Sequence, residues 1–190
     1  MTIMAAAERA PRPWARDRAA NLGCVAFALA LAWGMKAFYS RAGFEDLSWV
    51  LSPTRRLVEW LSGDVFEAEA GQGFLCRERH YLIAPACAGV NFMIVAFVSL
   101  VAGLVHTRST LRGRCTLLAA SALAAWGVGV LANASRISVA IRLHDAGTRL
   151  GPLTPERLHC AAGVAVYLLY LHALFAVAAR ATGAQREPAL

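Results

Sequence analysis

The sequence has 190 residues, of which 58% are hydrophobic and only 16% are charged, and its formal net charge is +7. Soluble domains are usually about 45–50% apolar and about 25% charged, so this composition excludes an ordinary soluble domain and favours a chain surrounded by lipid. Of the 19 lysine and arginine residues, all but Lys36 are arginines, and most of them lie at the ends of apolar runs. That distribution is typical of charges that set membrane topology, and we expect no nucleic-acid partner.

Four apolar runs predict an all-α membrane protein that forms a single polytopic domain over residues 1–190. The first run follows several arginines but is longer than the apolar core of a signal peptide, so we interpret it as an uncleaved span. The third run is too long for one simple crossing, and its polar end is expected to emerge into water or a cavity. The predicted spans are residues 21–39, 87–105, 115–143 and 158–179.

The segment between the first two spans, residues 40–86, is predicted to be a small polar insert. Apolar residues recur at helical spacing over Trp49–Leu61, which predicts an amphipathic helix lying on the bilayer surface. Residues then alternate over Val65–Ile83 around the break Gly71-Gln72-Gly73, a pattern that favours a β-hairpin.

The charges of the short flanking segments predict an orientation. Arginines precede the first span, fill the short loop after the second span and follow the fourth, and the rule of positive charge inside places all three groups in the cytoplasm. Both termini are therefore predicted to be cytoplasmic, and the insert, in which acidic residues outnumber basic ones, is predicted to be extracytoplasmic.

This span order brings three chemically complementary residues to one membrane face. Cys87 begins the second span, Arg136 lies near the end of the third, and His159 opens the fourth, so all three are expected at the extracytoplasmic end. Cys87 would be a nucleophile at a helix start, where backbone N–H groups favour the thiolate. His159 would be the general acid and base, and Arg136 would stabilise negative charge. Taken singly, each residue has an ordinary structural explanation: a buried thiol, a snorkelling arginine and an interfacial histidine.

Four neighbouring residues are candidates for support of that site. Gly89 and Gly163 would let helices approach closely, and Asn91, four residues after Cys87, is expected on the same helical face. Asn133 lies three residues before Arg136 and is a candidate for orienting that side chain or the substrate. Simple hydrogen bonding between helices is the alternative for both asparagines.

The five cysteines form no CxxC pair and have no metal-ligand spacing with histidine, so we expect no metal and no cofactor. A redox or haem-carrying bundle would need paired histidines or cysteines that the sequence lacks. Cys76 and Cys160 are both predicted near the extracytoplasmic face and are candidates for a disulfide that leaves Cys87 free.

Three short motifs resemble those of the exosortase/archaeosortase family. Cys87-Ala88-Gly89-Val90-Asn91 resembles its Cys-x-Gly-apolar-Asn segment. The run Asn133-Ala134-Ser135-Arg136 resembles its Asn-x-x-Arg segment, and His159-Cys160-Ala161-Ala162-Gly163 resembles its His-x-x-x-Gly segment. The motifs occur in the family's order, and the resemblance covers about residues 80–180. This chain is shorter than the commoner members and is similar in that respect to small subclasses such as exosortase K.

The resemblance implies a cysteine protease or transpeptidase of the bacterial inner membrane. Its substrates would be secreted proteins with a C-terminal sorting signal of the PEP-CTERM type: a short motif, a hydrophobic helix and a basic tail. By the same resemblance Cys87 forms a thioester, which an amine, on a membrane lipid for instance, or water resolves. Because the chain has few spans, a homo-oligomer or an accessory membrane protein is expected to help hold the substrate helix. The alternative is a non-enzymatic assembly or scaffold subunit for envelope or polysaccharide export.

Overall fold

A computed structural model describes residues 13–145 and 155–181 of the chain, with the side chains of residues 13–16, 155, 156 and 159 left out of the description. The helices in chain order are α1 (Pro13–Tyr39), α2 (Ser48–Ser62), α3 (Val90–Leu104), α4 (Leu111–Asp145) and α5 (Pro155–Ala181), and the strands β1 (Glu67–Glu69), β2 (Gly73–Cys76) and β3 (Tyr81–Ile83) lie between α2 and α3.

Four helices in the described part of the chain are long and apolar enough to cross a membrane. Their candidate spans are Asp17–Tyr39, Pro85–Thr107, Leu111–Asp145 and Cys160–Ala181. They coincide with the four predicted apolar runs, so the expectation of a multi-pass, mainly α-helical protein is confirmed. Helix α3 packs against α1 and α4, and α4 also packs against α5. The paired residues show that neighbours run antiparallel: Lys36 at the end of α1 contacts Asn91 at the start of α3, and along α4 and α5 Asn133 contacts Tyr167 while Arg136 contacts Gly163.

Helix α4 is longer than a bilayer requires. Its 35 residues span about 52 Å, whereas the hydrocarbon core is about 30 Å thick. The excess length is used at its C-terminal end, where Ile137 and Ile141 pack with residues of the insert in one buried cluster. The insert therefore sits as a cap on one end of the bundle, which we call the capped end: it comprises the end of α1, the start of α3, the end of α4 and the start of α5.

The predicted β-hairpin is present and is extended by a third strand. The sheet is antiparallel in the order β1-β2-β3, with Phe74 opposite Ile83 in the second pair. Gly73 has φ +149°, and a Cβ atom there would overlap the backbone carbonyl of Ile83. The close approach of β2 and β3 thus requires glycine at this position.

Helix α2 is amphipathic as predicted, but its apolar face does not lie on a bilayer. Val50, Leu51 and Val58 are completely buried in the protein core, in the same cluster as Phe66 and Ile83. The periodicity identified a helix with one apolar face, and the cap of the bundle provides that face with a protein partner instead of lipid. Placement on the bilayer surface was therefore wrong for the buried face of this helix.

An ion pair joins the insert to the far end of α4. The Nε of Arg79 donates to Asp64 Oδ1 at 2.7 Å, and another nitrogen of Arg79 contacts Asp145. The side chain of Asp64 is only 7% exposed, so its charge depends on this arginine. The pair holds the sheet against the last turn of α4.

Candidate functional site

Cys87 lies at the capped end, in a short 3-10 turn over Pro85–Cys87 that precedes α3. Its N–H donates to the carbonyl of Ala84 at 2.8 Å, and its side chain is half-buried. Gly89 follows with φ +70°, a left-handed conformation that separates the turn from the helix beginning at Val90. The sequence predicts that Cys87 is the first residue of the helix. The free N–H groups of the helix start instead follow Gly89, so stabilisation of a thiolate by that helix start was wrong as stated.

Asn133 connects Cys87 to α4 and α5. It is completely buried, and its Nδ2 donates to the carbonyl oxygen of Cys87. Its Oδ1 accepts from the hydroxyl of Tyr167 at 3.1 Å and from Nε of Arg136 at 3.4 Å. One side chain therefore satisfies groups from the Cys87 turn, from its own helix and from α5, so the predicted orientation of Arg136 by Asn133 agrees with the geometry.

Gly89 is needed for that arrangement. A Cβ atom at Gly89 would lie 3.1 Å from Cγ of Asn133, and the positive φ would add backbone strain to any other residue. The absence of a side chain lets the turn containing Cys87 approach the buried amide closely. The close approach at Gly89 is between this turn and α4.

Arg136 lies at the capped end, half-buried between α4 and α5. A Cβ atom at Gly163 would come 3.2 Å from Cδ of Arg136, so Gly163 leaves the space that the arginine stem occupies, as predicted for a small residue there. The guanidinium carbon is 5.7 Å from the centroid of the Tyr167 ring, a cation–π distance. Among the described residues, no carboxylate lies within ion-pairing distance of Arg136.

His159 is a residue of α5, and its backbone lies one helical turn before Gly163, toward the helix start. Because α5 begins at Pro155, this position is in the second turn of the helix and not in the first. The side chain of His159 lies outside the described part of the structure. The backbone alone puts this residue at the same end of the bundle as Cys87 and Arg136.

Asn91 does not share a face with Cys87. The left-handed Gly89 interrupts the helical spacing between them, and Asn91 is exposed toward α1, where Nζ of Lys36 donates to its Oδ1 at 2.8 Å. The expected common face was wrong because it assumed a continuous helix from Cys87 to Asn91. Asn91 instead contributes to the contact between α1 and α3.

Three tyrosines that the sequence analysis did not select surround the site. Tyr39 and Tyr81 pack against the same buried cluster as Cys87. Tyr167 stacks on Phe92 with ring centroids 4.9 Å apart. The spacing of Tyr167 was available as a clue, because it lies eight residues after His159, at two successive intervals of four along α5.

The pKa of Tyr81 is influenced by both Cys87 and Arg136. Burial is the main cause that raises the pKa of Tyr81 above its ordinary value of 10.0, the nearby Cys87 thiolate raises it further, and Arg136 opposes the shift. Tyr81 thus lies within electrostatic range of both a potential nucleophile and a potential anion-stabilising cation.

The cysteines of the described chain are all free, including the two proposed as a disulfide. Cys76 is buried in the insert and Cys160 is exposed on α5, so the structure does not contain that bond. Cys87 is therefore one of several free thiols, and it is the one whose carbonyl oxygen is bound by Asn133, which also contacts Arg136. No group of three His, Cys, Asp or Glu side chains that could hold a metal ion occurs among the described residues.

Comparison with known proteins adds no assignment, because no family model, no curated protein and no solved structure matches the chain. The structure is that of a multi-pass helical membrane protein in which one buried amide, Asn133, contacts both the turn that contains a half-buried thiol and a guanidinium, beneath a small cap. Such a set can form a covalent acyl intermediate on sulfur and stabilise the accompanying negative charge.

Proposed function

We propose that this protein is a membrane cysteine protease or transpeptidase of the exosortase type, with Cys87 as nucleophile, Arg136 as charge stabiliser and His159 as general acid and base. One observation carries the proposal: Asn133 holds the Cys87 turn on one side and Arg136 on the other, at the end of the bundle where α5 begins. These contacts join the motif of Cys87 to the motif of Asn133 and Arg136, and Gly163 of the third motif packs against the stem of Arg136.

The reaction is an acyl transfer with a balanced course. His159 takes the thiol proton, and Sγ of Cys87 adds to the carbonyl carbon of the scissile peptide bond. Arg136 is suited to stabilise the resulting oxyanion because it is a cation that contacts Asn133, the residue that also binds the Cys87 turn. Collapse of the adduct breaks the C–N bond, and the leaving amine takes the proton from His159. An amine or water then attacks the thioester, which restores the free thiol of Cys87.

The substrate we propose is a secreted protein with a C-terminal sorting signal, whose hydrophobic helix lies in the membrane and whose motif reaches the capped end. The charge distribution of the flanking segments favours an inner-membrane location with cytoplasmic termini and an extracytoplasmic site. In that orientation the cap formed by α2 and the sheet faces the compartment in which secreted substrates arrive. A second copy or an accessory membrane protein would complete the path of the substrate helix.

The test is processing of a co-expressed reporter that ends in a motif, a hydrophobic helix and a basic tail. Wild-type protein should shorten the reporter, and Cys87→Ala should abolish shortening. Arg136→Gln should lower the rate by about 10²–10³-fold and His159→Ala by about 10²–10⁴-fold. Cys115→Ala, at the opposite end of α4, is the matched control and should retain full activity.

A trapped intermediate makes the test specific for the thiol. Hydroxylamine should release the reporter fragment from a covalent adduct with wild-type protein, and no adduct should form with Cys87→Ser. Thermal unfolding in detergent checks that each variant is folded. Undiminished processing by a folded Cys87→Ala protein would refute the proposed nucleophile.

A further inference from the structure

An apolar groove runs along the outside of α3, bounded by α1 on one side and α4 on the other. Its volume is about 480 Å³, and its lining combines aliphatic, thioether and aromatic side chains from these three helices with Trp49 of α2. The walls stand apart because α1 and α4 each pack on α3. Representative lining residues are Leu31, Met35, Met93, Phe97, Leu123 and Trp126.

The dimensions of the groove suit a narrow apolar chain better than a helix. A helix with its side chains is about 10–12 Å wide and normally packs along several turns, whereas α1, α3 and α4 each contribute only three or four lining residues here. Along α3 the lining extends from Val90 to Phe97, about 10 Å of helix length. An apolar groove of that length matches part of an acyl chain.

The end of the groove nearest Val90 carries a positive charge. Lys36 adjoins Met35 on one wall and donates to Asn91, which adjoins Val90 on the floor. Among the described residues no carboxylate pairs with Lys36, and its ammonium keeps two N–H donors beyond the one used by Asn91. Trp49 lines the groove at this end, as tryptophans do at the level of lipid headgroups.

We propose that the groove binds one acyl chain of a glycerophospholipid whose phosphate is held by Lys36. The apolar lining receives the chain, and the ammonium supplies the charge complementary to the phosphodiester. The headgroup would then lie at the capped end, close to the turn that contains Cys87. This binding site does not depend on the proposed reaction, so it is measured equally in Cys87→Ala and in wild-type protein.

The experiment uses fluorescence quenching of the two tryptophans in the groove, Trp49 and Trp126. The full chain is purified in non-ionic detergent with its other tryptophans replaced by phenylalanine (Trp14, Trp33 and Trp60) and is titrated with phosphatidylglycerol that carries bromine on its acyl chains. Saturable quenching is expected. Brominated diacylglycerol, which has the same chains and no phosphate, should bind about fivefold more weakly, since one lysine near an anionic headgroup contributes about that factor.

Two pairs of variants separate the acyl chain from the phosphate. Ala122→Phe fills the groove from an exposed position on α4 and should abolish saturable quenching, whereas Ala120→Phe, on the same helix outside the groove, should leave it unchanged. Lys36→Gln should remove the preference for the phosphate-bearing lipid. Arg41→Gln removes a charge just beyond the end of α1 and should retain that preference.

Thermal unfolding in the same detergent identifies any variant that is not folded, and only folded variants are compared. Quenching that rises linearly with lipid, or that Ala122→Phe leaves intact, would overturn the proposal. Equal affinity for brominated phosphatidylglycerol and brominated diacylglycerol would overturn the proposed contact between Lys36 and the phosphate. A dimer that Ala122→Phe dissociates would show that a second copy fills the groove, which also overturns it.

Discussion

Replacing Asn133 by alanine probes the contact that holds the candidate site together. The substitution removes three hydrogen bonds: the one to the Cys87 carbonyl, the one from Tyr167 and the one from Arg136. Buried hydrogen bonds contribute about 1 kcal/mol each in soluble proteins and about 0.6 kcal/mol each between membrane helices. The expected loss in the free energy of unfolding is therefore about 2–3 kcal/mol.

The assay is reversible unfolding in mixed micelles with increasing mole fraction of a denaturing detergent. Tyr167→Phe should cost about 0.6–1 kcal/mol in the wild-type background, because it removes one of the three bonds. In the Asn133→Ala background it should cost almost nothing, since the acceptor is already absent, and the double-mutant cycle should give a coupling of about 0.5–1 kcal/mol. Asn91→Ala, an exposed asparagine at the same end of the bundle, is the control.

Hydrogen exchange gives a local reading of the same change. The amides of the Pro85–Gly89 turn should exchange faster in Asn133→Ala than in wild-type protein, because the carbonyl of Cys87 loses its buried donor. An unfolding free energy within about 0.5 kcal/mol of wild type, or additive effects of the two substitutions, would refute the role assigned to Asn133.

Three further substitutions test other parts of the structure. Gly89→Ala should lower the free energy of unfolding by about 1–2 kcal/mol because alanine is strained at positive φ, while Gly127→Ala, where a Cβ atom meets nothing within 4 Å, should not lower it. Arg79→Gln leaves the buried Asp64 without its arginine partner, so proteolysis of the insert should accelerate; an unchanged cleavage rate would contradict this. Folding raises the pKa of Tyr81, so the contribution of this tyrosine to the free energy of unfolding is fully present below pH 10. That contribution should be lost as the pH rises through the raised pKa. Tyr81→Phe should lessen that fall, and identical pH profiles of unfolding would exclude the effect.

The buried network explains why the site was only partly predictable from the sequence. The motifs and the order of the spans put Cys87, Arg136 and Asn133 at one end of the bundle, since apolar runs of sufficient length must each cross the membrane. They did not identify Tyr167 as the second partner of Asn133. A tyrosine in an apolar helix has no local feature that distinguishes a lipid-facing ring from one directed at a neighbouring helix.

Helix α2 of the insert gives a second case in which the sequence pattern did not identify the packing partner. An amphipathic period over α2 has one apolar face whatever covers it, and lipid and protein core satisfy that face equally well. Only the packing of Val50 and Val58 against α4 and the sheet decided between them. Likewise the glycine at position 89 was expected to allow close approach, but its left-handed conformation, which displaces Cys87 from the helix and turns Asn91 toward Lys36, is a tertiary result.

Composition and hydropathy by themselves determined that this protein is a multi-pass helical membrane protein, and spacing determined where its helices and its hairpin lie. These features follow from interactions between residues near in sequence and from the thickness of a bilayer. The tertiary structure decided which polar groups meet: the amide of Asn133 with the Cys87 turn, Arg136 with Tyr167 and Gly163, and Lys36 with Asn91. Those contacts join residues 27 to 55 positions apart, and their formation depends on how helices rotate and approach, which no local pattern records.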